Sequence, residues 1–198
     1  NPYPTPNHQG DPSKCKAMLH AAGVSNLVLK DYYRDNGNHP AVFQEVQSDF
    51  AKCGVTVTGI PIATGYYGSK GIGVKTPDGL KAGAWDITEP GWVPDWFGAA
   101  NGRAVLPDIV DGALNFPGTD WGGYDNPAVD HLVNQALAAK SVSAASALWH
   151  QADMKAMADA PIIPFQTQLT PLFRSSRVHN AIYMAFSNSY DISQVWLG

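Results

Sequence analysis

Chemistry-bearing residues are sparse in this chain, and the densest group is Gly-Trp-Val-Pro-Asp-Trp at residues 91–96. One carboxylate, Asp95, stands between two indoles, Trp92 and Trp96, and Gly91 opens the run. This combination suits a ligand with a cationic amine and a flat or apolar body. The amine takes a charge-assisted hydrogen bond while the rings stack or make cation–π contact. The structural alternative puts both tryptophans in a core and makes Asp95 a helix cap. A second motif is S-x-x-K at Ser13 and Lys16, in which a lysine can activate a serine nucleophile. Its companion K-T-G is only echoed by Lys75, Thr76 and Pro77, and no S-D-N triplet occurs. Solvated positions on the first turn of an amphipathic helix explain Ser13, Lys14 and Lys16 more simply.

Other signatures are missing. The sequence holds no G-x-S-x-G, no H-E-x-x-H and no phosphate-binding G-x-x-x-x-G-K-[ST]. Residues 65–73 are glycine-dense but lack the lysine at the required place. His8, His20, His39, His131, His150 and His179 are scattered, so each reads as a surface or internally satisfied histidine. No metal site and no cofactor are expected.

The elements that must position these residues follow from spacing. Asp11 as N-cap, Pro12 at the first helical position and Gly23 beyond the end predict a helix over residues 12–22. Its inward set is Cys15, Met18, Leu19 and Ala22. A second helix is predicted over residues 40–53, with Val42, Val46, Phe50 and Cys53 on one face. Residues 27–33 and 55–62 read as strands. Strand, helix and strand in that order make a βαβ unit with parallel pairing and a right-handed crossover. Residues 63–83 read as irregular loop, and residues 84–91 as a third strand cut short by Pro90. From there to Asn126 no period is sustained. Asn126 and Pro127 open a helix to about residue 140, and another runs over residues 143–158 until Pro161. Residues 162–166 read as a short apolar strand. The fold class is α/β, a sheet covered by helices. The 91–96 run follows directly on a strand, and open α/β sheets bind ligands outside their strands' carboxyl ends.

Cys15 and Cys53 form no C-x-x-C pair and have no histidine spaced for zinc. Each falls at an inward position of a predicted helix, so the two could meet as a disulfide or stand as inert buried thiols. A disulfide would imply an oxidising, extracytoplasmic location.

The 198 residues bound the chain to one ordinary domain or one with an appendage. Hydrophobic residues make up 44% and charged residues 15%, against a usual charged share of roughly 25%. This excludes intrinsic disorder. A net charge of −4 argues against a nucleic-acid partner, since phosphate neutralisation needs a basic face. No apolar run approaches the roughly 18 residues of a membrane-spanning helix. Residues 1–10 are polar and Pro-rich and carry no secretory signal, which leaves export open because signals are removed on maturation.

Five segments in order resemble the extracellular solute-binding proteins of family 5, the oligopeptide- and dipeptide-binding components of ABC importers. They are residues 11–23 (DPSKCKAMLHAAG), 50–57 (FAKCGVTV), the strand leading to GWVPDW at 91–96, residues 124–132 (YDNPAVDHL) and residues 157–165 (MADAPIIPF). The cysteine pair and the tail RSSRVHN look most like actinobacterial members.

The resemblance implies the C-terminal lobe of a type II periplasmic-binding-protein-like fold, with a mixed, mostly parallel sheet flanked by helices. Residues 1–178 would form that lobe, and residues 179–198 a tail returning toward an N-terminal lobe absent from this chain. It further implies a non-enzymatic receptor that hands peptides to a membrane permease from an extracytoplasmic, lipid-anchored position. Asp95 would then accept the peptide's α-amino group and Trp92 would line a side-chain pocket. Glu89 departs from the pattern, since some oligopeptide binders carry a basic residue two places before the motif's glycine. Tryptophan walls also suit a sugar oligomer, a metal chelate or haem. A secreted serine hydrolase using Ser13 and Lys16 is the rival from another class.

Overall fold

The computed structural model describes residues 2–68, 71–73, 84–94, 101–116, 118–165, 169, 171–185, 187 and 189–198. Its backbone divides into two compact units. The first comprises Asn1–Gly91 with Ile109–Asp125, the second Trp92–Asp108 with Asn126–Gly198.

In the first unit Asp11 starts helix α1 (Pro12–Ala21), its side chain accepting the Lys14 N–H at 2.9 Å. The expected inward face holds only in part. Cys15 and Leu19 are half-buried, whereas Met18 is 57% exposed and Ala22 is exposed. Periodicity marks a face, but within α1 only Cys15 and Leu19 are half-buried. There Cys15 is joined by a disulfide to Cys53, 38 positions on, at the C-cap of helix α2 (His39–Lys52). The pairing is formed, and the alternative of two free thiols is set aside.

Strand β1 (Val28–Arg34), α2 and strand β2 (Thr56–Ile62) form the expected βαβ unit, with β1 and β2 parallel and Asp31 opposite Gly59. Tyr33 stacks on Phe43 of α2 at 4.6 Å between ring centroids, which fixes the face that α2 covers. A side chain on Gly59 would strike the Phe43 ring, so this glycine lets the helix lie close to the sheet.

The third strand is shorter than residues 84–91: β3 (Ile87–Thr88) pairs parallel with β1, giving the order β2-β1-β3. Asp86 lengthens the junction. Its Oδ2 accepts the Lys30 N–H at 2.7 Å and its own N–H reaches the Lys30 carbonyl at 2.9 Å. Beyond Glu89, Pro90 has no N–H to continue a ladder. Val55, Val57, Tyr66, Ile72 and Val110 are buried in this unit.

Where the sequence shows no sustained period, two helices too short to display one are found, α3 (Leu106–Val110) and α4 (Gly112–Asn115). Buried Asp111 caps α4 through the Leu114 N–H at 3.1 Å.

The second unit is built on α5 (Pro127–Leu137) and α6 (Val142–Asp159), which pack together through Val129, Val133 and Ala136 on one and Trp149, Ala152 and Ala156 on the other. Ser141 caps α6 by accepting the Ala144 N–H, so the helix begins one residue before the predicted position 143. Residues 162–165 form no strand. Pro161 and Pro164 remove the donors a ladder would need, and residue 166 lies outside the described residues. The tail forms two antiparallel pairs, β4 (Val178–His179) with β7 (Trp196–Leu197) and β5 (Tyr183–Met184) with β6 (Ser189–Tyr190). Among the described residues no helix is long and apolar enough to cross a membrane.

Candidate functional site

Two of the first unit's buried carboxylates belong to the parallel sheet and its edge, Asp31 in β1 and Glu89 just beyond β3. On the face under α2 lie Asp31, 1% exposed, and Glu89, 6% exposed. Register explains their common side: Ile87 is opposite Asp31 and Thr88 opposite Tyr32, so Glu89 continues on Asp31's face two residues along. His39, at the start of α2, brings Nδ1 to 3.0 Å from Glu89 Oε2. Burial lifts the Glu89 carboxyl above its usual range, and the nearby His39 and Arg34 oppose the shift. Burial, reinforced by the Glu89 charge, pushes Asp31 up to about 7. One oxygen of each carboxylate, Asp31 Oδ1 and Glu89 Oε1, has no hydrogen-bond partner among the described residues.

On the opposite face a hydrogen-bonded chain runs through Tyr66. Its hydroxyl accepts the Glu89 N–H at 2.9 Å and lies 2.6 Å from Thr88 Oγ1, which donates to the Tyr32 carbonyl at 2.7 Å. Burial pushes the Tyr66 phenol up to about 12, so it stays a neutral O–H. Tyr67 stands edge-on to Tyr66 with centroids 5.1 Å apart, and its hydroxyl accepts the Gly91 N–H at 3.1 Å. Arg34 lies over both rings, its Cζ 5.3 Å and 5.5 Å from their centroids. Its Nη2 donates to the Glu89 carbonyl at 3.3 Å. Residues 65–68 and 71–73 hold the tyrosine pair through close backbone contacts. The Ile72 N–H bonds the Tyr66 carbonyl at 2.7 Å, and side chains on Gly71 or Gly73 would collide with the Tyr66 or Tyr67 carbonyl.

Of the residues singled out in the sequence, Gly91 is exposed and tied to Tyr67. Trp92 is half-buried, its indole N–H donating to the Ala104 carbonyl at 2.7 Å. Asp95 and Trp96 lie outside the described residues. Glu89 is turned to His39 within the protein, while the Arg34 guanidinium reaches the Gly91 corner from β1. Ser13 and Lys16 are both exposed on α1. The tyrosine pair and Arg34 were not legible as site residues. The only signal was two adjacent tyrosines inside a glycine-dense stretch read as irregular loop. Among the described residues no group of three or more metal-ligating side chains converges.

The backbone path can be compared with known proteins. No family model matches the chain, and no curated protein matches it by sequence. Solved structures do. The "Clavulanic acid biosynthesis oligopeptide binding protein 2" matches 98% of this chain with a TM-score of 0.81 at 23% identity. The chain has the fold of one part of that binding protein. OppA of Haemophilus influenzae, solved with the peptide RPPGFSPFR, matches 99% of it with a TM-score of 0.70 at 18% identity. AppA of Bacillus subtilis, solved with a nonapeptide, matches all of it with a TM-score of 0.68 at 16% identity. The chain spans 35%, 37% and 40% of those three chains. The resemblance read from five sequence segments and the fold therefore agree.

Proposed function

We propose that this chain is the C-terminal lobe of the substrate-binding protein of an ABC importer, a non-enzymatic receptor for peptides or a similar amine-bearing solute. One observation carries the reading. The Gly91-Trp92 run leaves the carboxyl end of a parallel sheet, where open α/β sheets take ligands, in a fold shared with proteins named for oligopeptide binding. Asp95 would anchor the ligand's amine, with Trp92 and Trp96 as walls and Gly91 leaving room for the ligand beside the main chain. An N-terminal lobe of the same protein would supply the rest of the cleft, and a membrane permease would receive the solute. The disulfide supports an extracytoplasmic location, as does the similarity to a periplasmic murein tripeptide binding protein. A lipid anchor would hold the receptor at the membrane.

The test is calorimetry on the full two-lobed protein. Asp95→Asn should weaken binding of its solute by roughly 2–5 kcal/mol, the usual loss when a buried charge loses its partner. Unchanged affinity removes Asp95 from the site. Native mass spectrometry of protein purified from its own source identifies the solute, and a sugar oligomer, metal chelate or haem in place of a peptide would overturn the peptide assignment.

A further inference from the structure

The main chain of residues 89–91 is held by side chains rather than by a strand ladder. Three main-chain polar groups are engaged: the Glu89 N–H by Tyr66 Oη at 2.9 Å, the Glu89 carbonyl by Arg34 Nη2 at 3.3 Å and the Gly91 N–H by Tyr67 Oη at 3.1 Å. Pro90 between them has no N–H to satisfy. The three holding groups brace one another, with Arg34 over both rings and the rings edge-on. Trp121 adds a further brace, its ring 5.3 Å from that of Tyr67. Pairing with β1 stops at Thr88. A main chain released from its ladder ordinarily wanders, and here three of its polar groups, two on Glu89 and one on Gly91, are bonded.

We infer that Tyr66, Tyr67 and Arg34 are positioning residues for solute capture: they clamp residues 89–91 and so fix the point at which the chain leaves Gly91. This rests on the proposed receptor function for its purpose, though not for its geometry. None of the three needs to touch the solute. Their work is pre-organisation, sparing the ligand the ordering of the segment that receives it. Tyr67 is the sensitive member, because it bonds the last held group and is 43% exposed, so its replacement disturbs little packing. Tyr66 is 5% exposed and carries the Thr88 chain as well, so it serves folding and positioning together.

The experiment uses the full-length protein and the Tyr67→Phe variant, which keeps the ring and deletes the acceptor. Hydrogen exchange, read by mass spectrometry with fragmentation to single amides, should show the Gly91 amide exchanging about tenfold faster in the variant while the Glu89 amide is unchanged. Equal Gly91 exchange in both proteins overturns the clamp. Binding is then measured with a pooled library of di- to pentapeptides, read by native mass spectrometry. Wild type capturing peptides that Tyr67→Phe holds about tenfold more weakly, at an unchanged melting temperature, supports positioning. Equal capture by both overturns it. Wild type capturing no peptide at all overturns the receptor reading instead, while the amide exchange still decides the clamp.

Discussion

His39 and Glu89, 50 positions apart in sequence, meet with Nδ1 of the imidazole 3.0 Å from Oε2 of the carboxylate. The contact ties the start of α2 to the residue that follows β3, and it turns the acidic group two places before Gly91 into the protein. Removing His39 leaves a nearly buried carboxylate without its strongest partner. His39→Ala should lower stability by about 1–3 kcal/mol in urea unfolding. Adding Glu89→Gln to that variant should restore part of the loss. Additive losses in the double-mutant cycle would show that the two groups do not interact.

Asp31 gives a pH dependence with a defined sign. Its pKa is about 7 in the folded protein and 3.8 ordinarily, so the folded state binds this proton more tightly than the unfolded one. Below about pH 4 the group is protonated in both states and costs nothing. Between about pH 4 and pH 7 the unfolded state gives up this proton while the folded state keeps it, so stability falls across that window and levels off once pH has risen through 7. Asp31→Asn should therefore be more stable than wild type at pH 8, by as much as about 4 kcal/mol, with the advantage vanishing near pH 4. A difference that stays constant between those two pH values would contradict the assignment.

Gly91 separates folding from ligand approach. It is absent from the glycines with left-handed backbone, and an added Cβ would meet Arg34 Nη2 at 3.5 Å and Tyr67 Oη at 3.7 Å, ordinary contact distances. Gly91→Ala should keep the wild-type melting temperature. If the solute lies against this residue, calorimetric affinity in the full-length protein should fall by roughly 1–3 kcal/mol, the usual cost of overfilling a packed site. Wild-type affinity would place the solute elsewhere.

The disulfide closes a 38-residue separation that encloses β1 and α2. Replacing both cysteines by serine should cost about 2–4 kcal/mol of stability. Thiol labelling of the denatured protein without reductant should leave both residues unmodified, and full labelling of the two would refute the bond.

Local pattern alone determined the helices α1, α2, α5 and α6 and the βαβ unit. The caps at Asp11 and Asn126 and the three-to-four spacing of Val129, Val133 and Ala136 are interactions between near neighbours, readable without knowing the fold. The same holds for the strand, helix, strand order, which forces parallel pairing. The place of Gly91 and Trp92 after a strand was legible for this reason.

Which carboxylates are buried, and what holds the segment before the tryptophan, only the tertiary structure decided. Asp31 and Glu89 look like ordinary solvated acids in sequence. They become interior because parallel register puts both on the face that α2 covers. Arg34 and Tyr66 reach Glu89 across 55 and 23 positions, and no periodicity links residues so far apart. Such partners are chosen by how strands and loops stack, a property of the folded chain and of no single stretch of it.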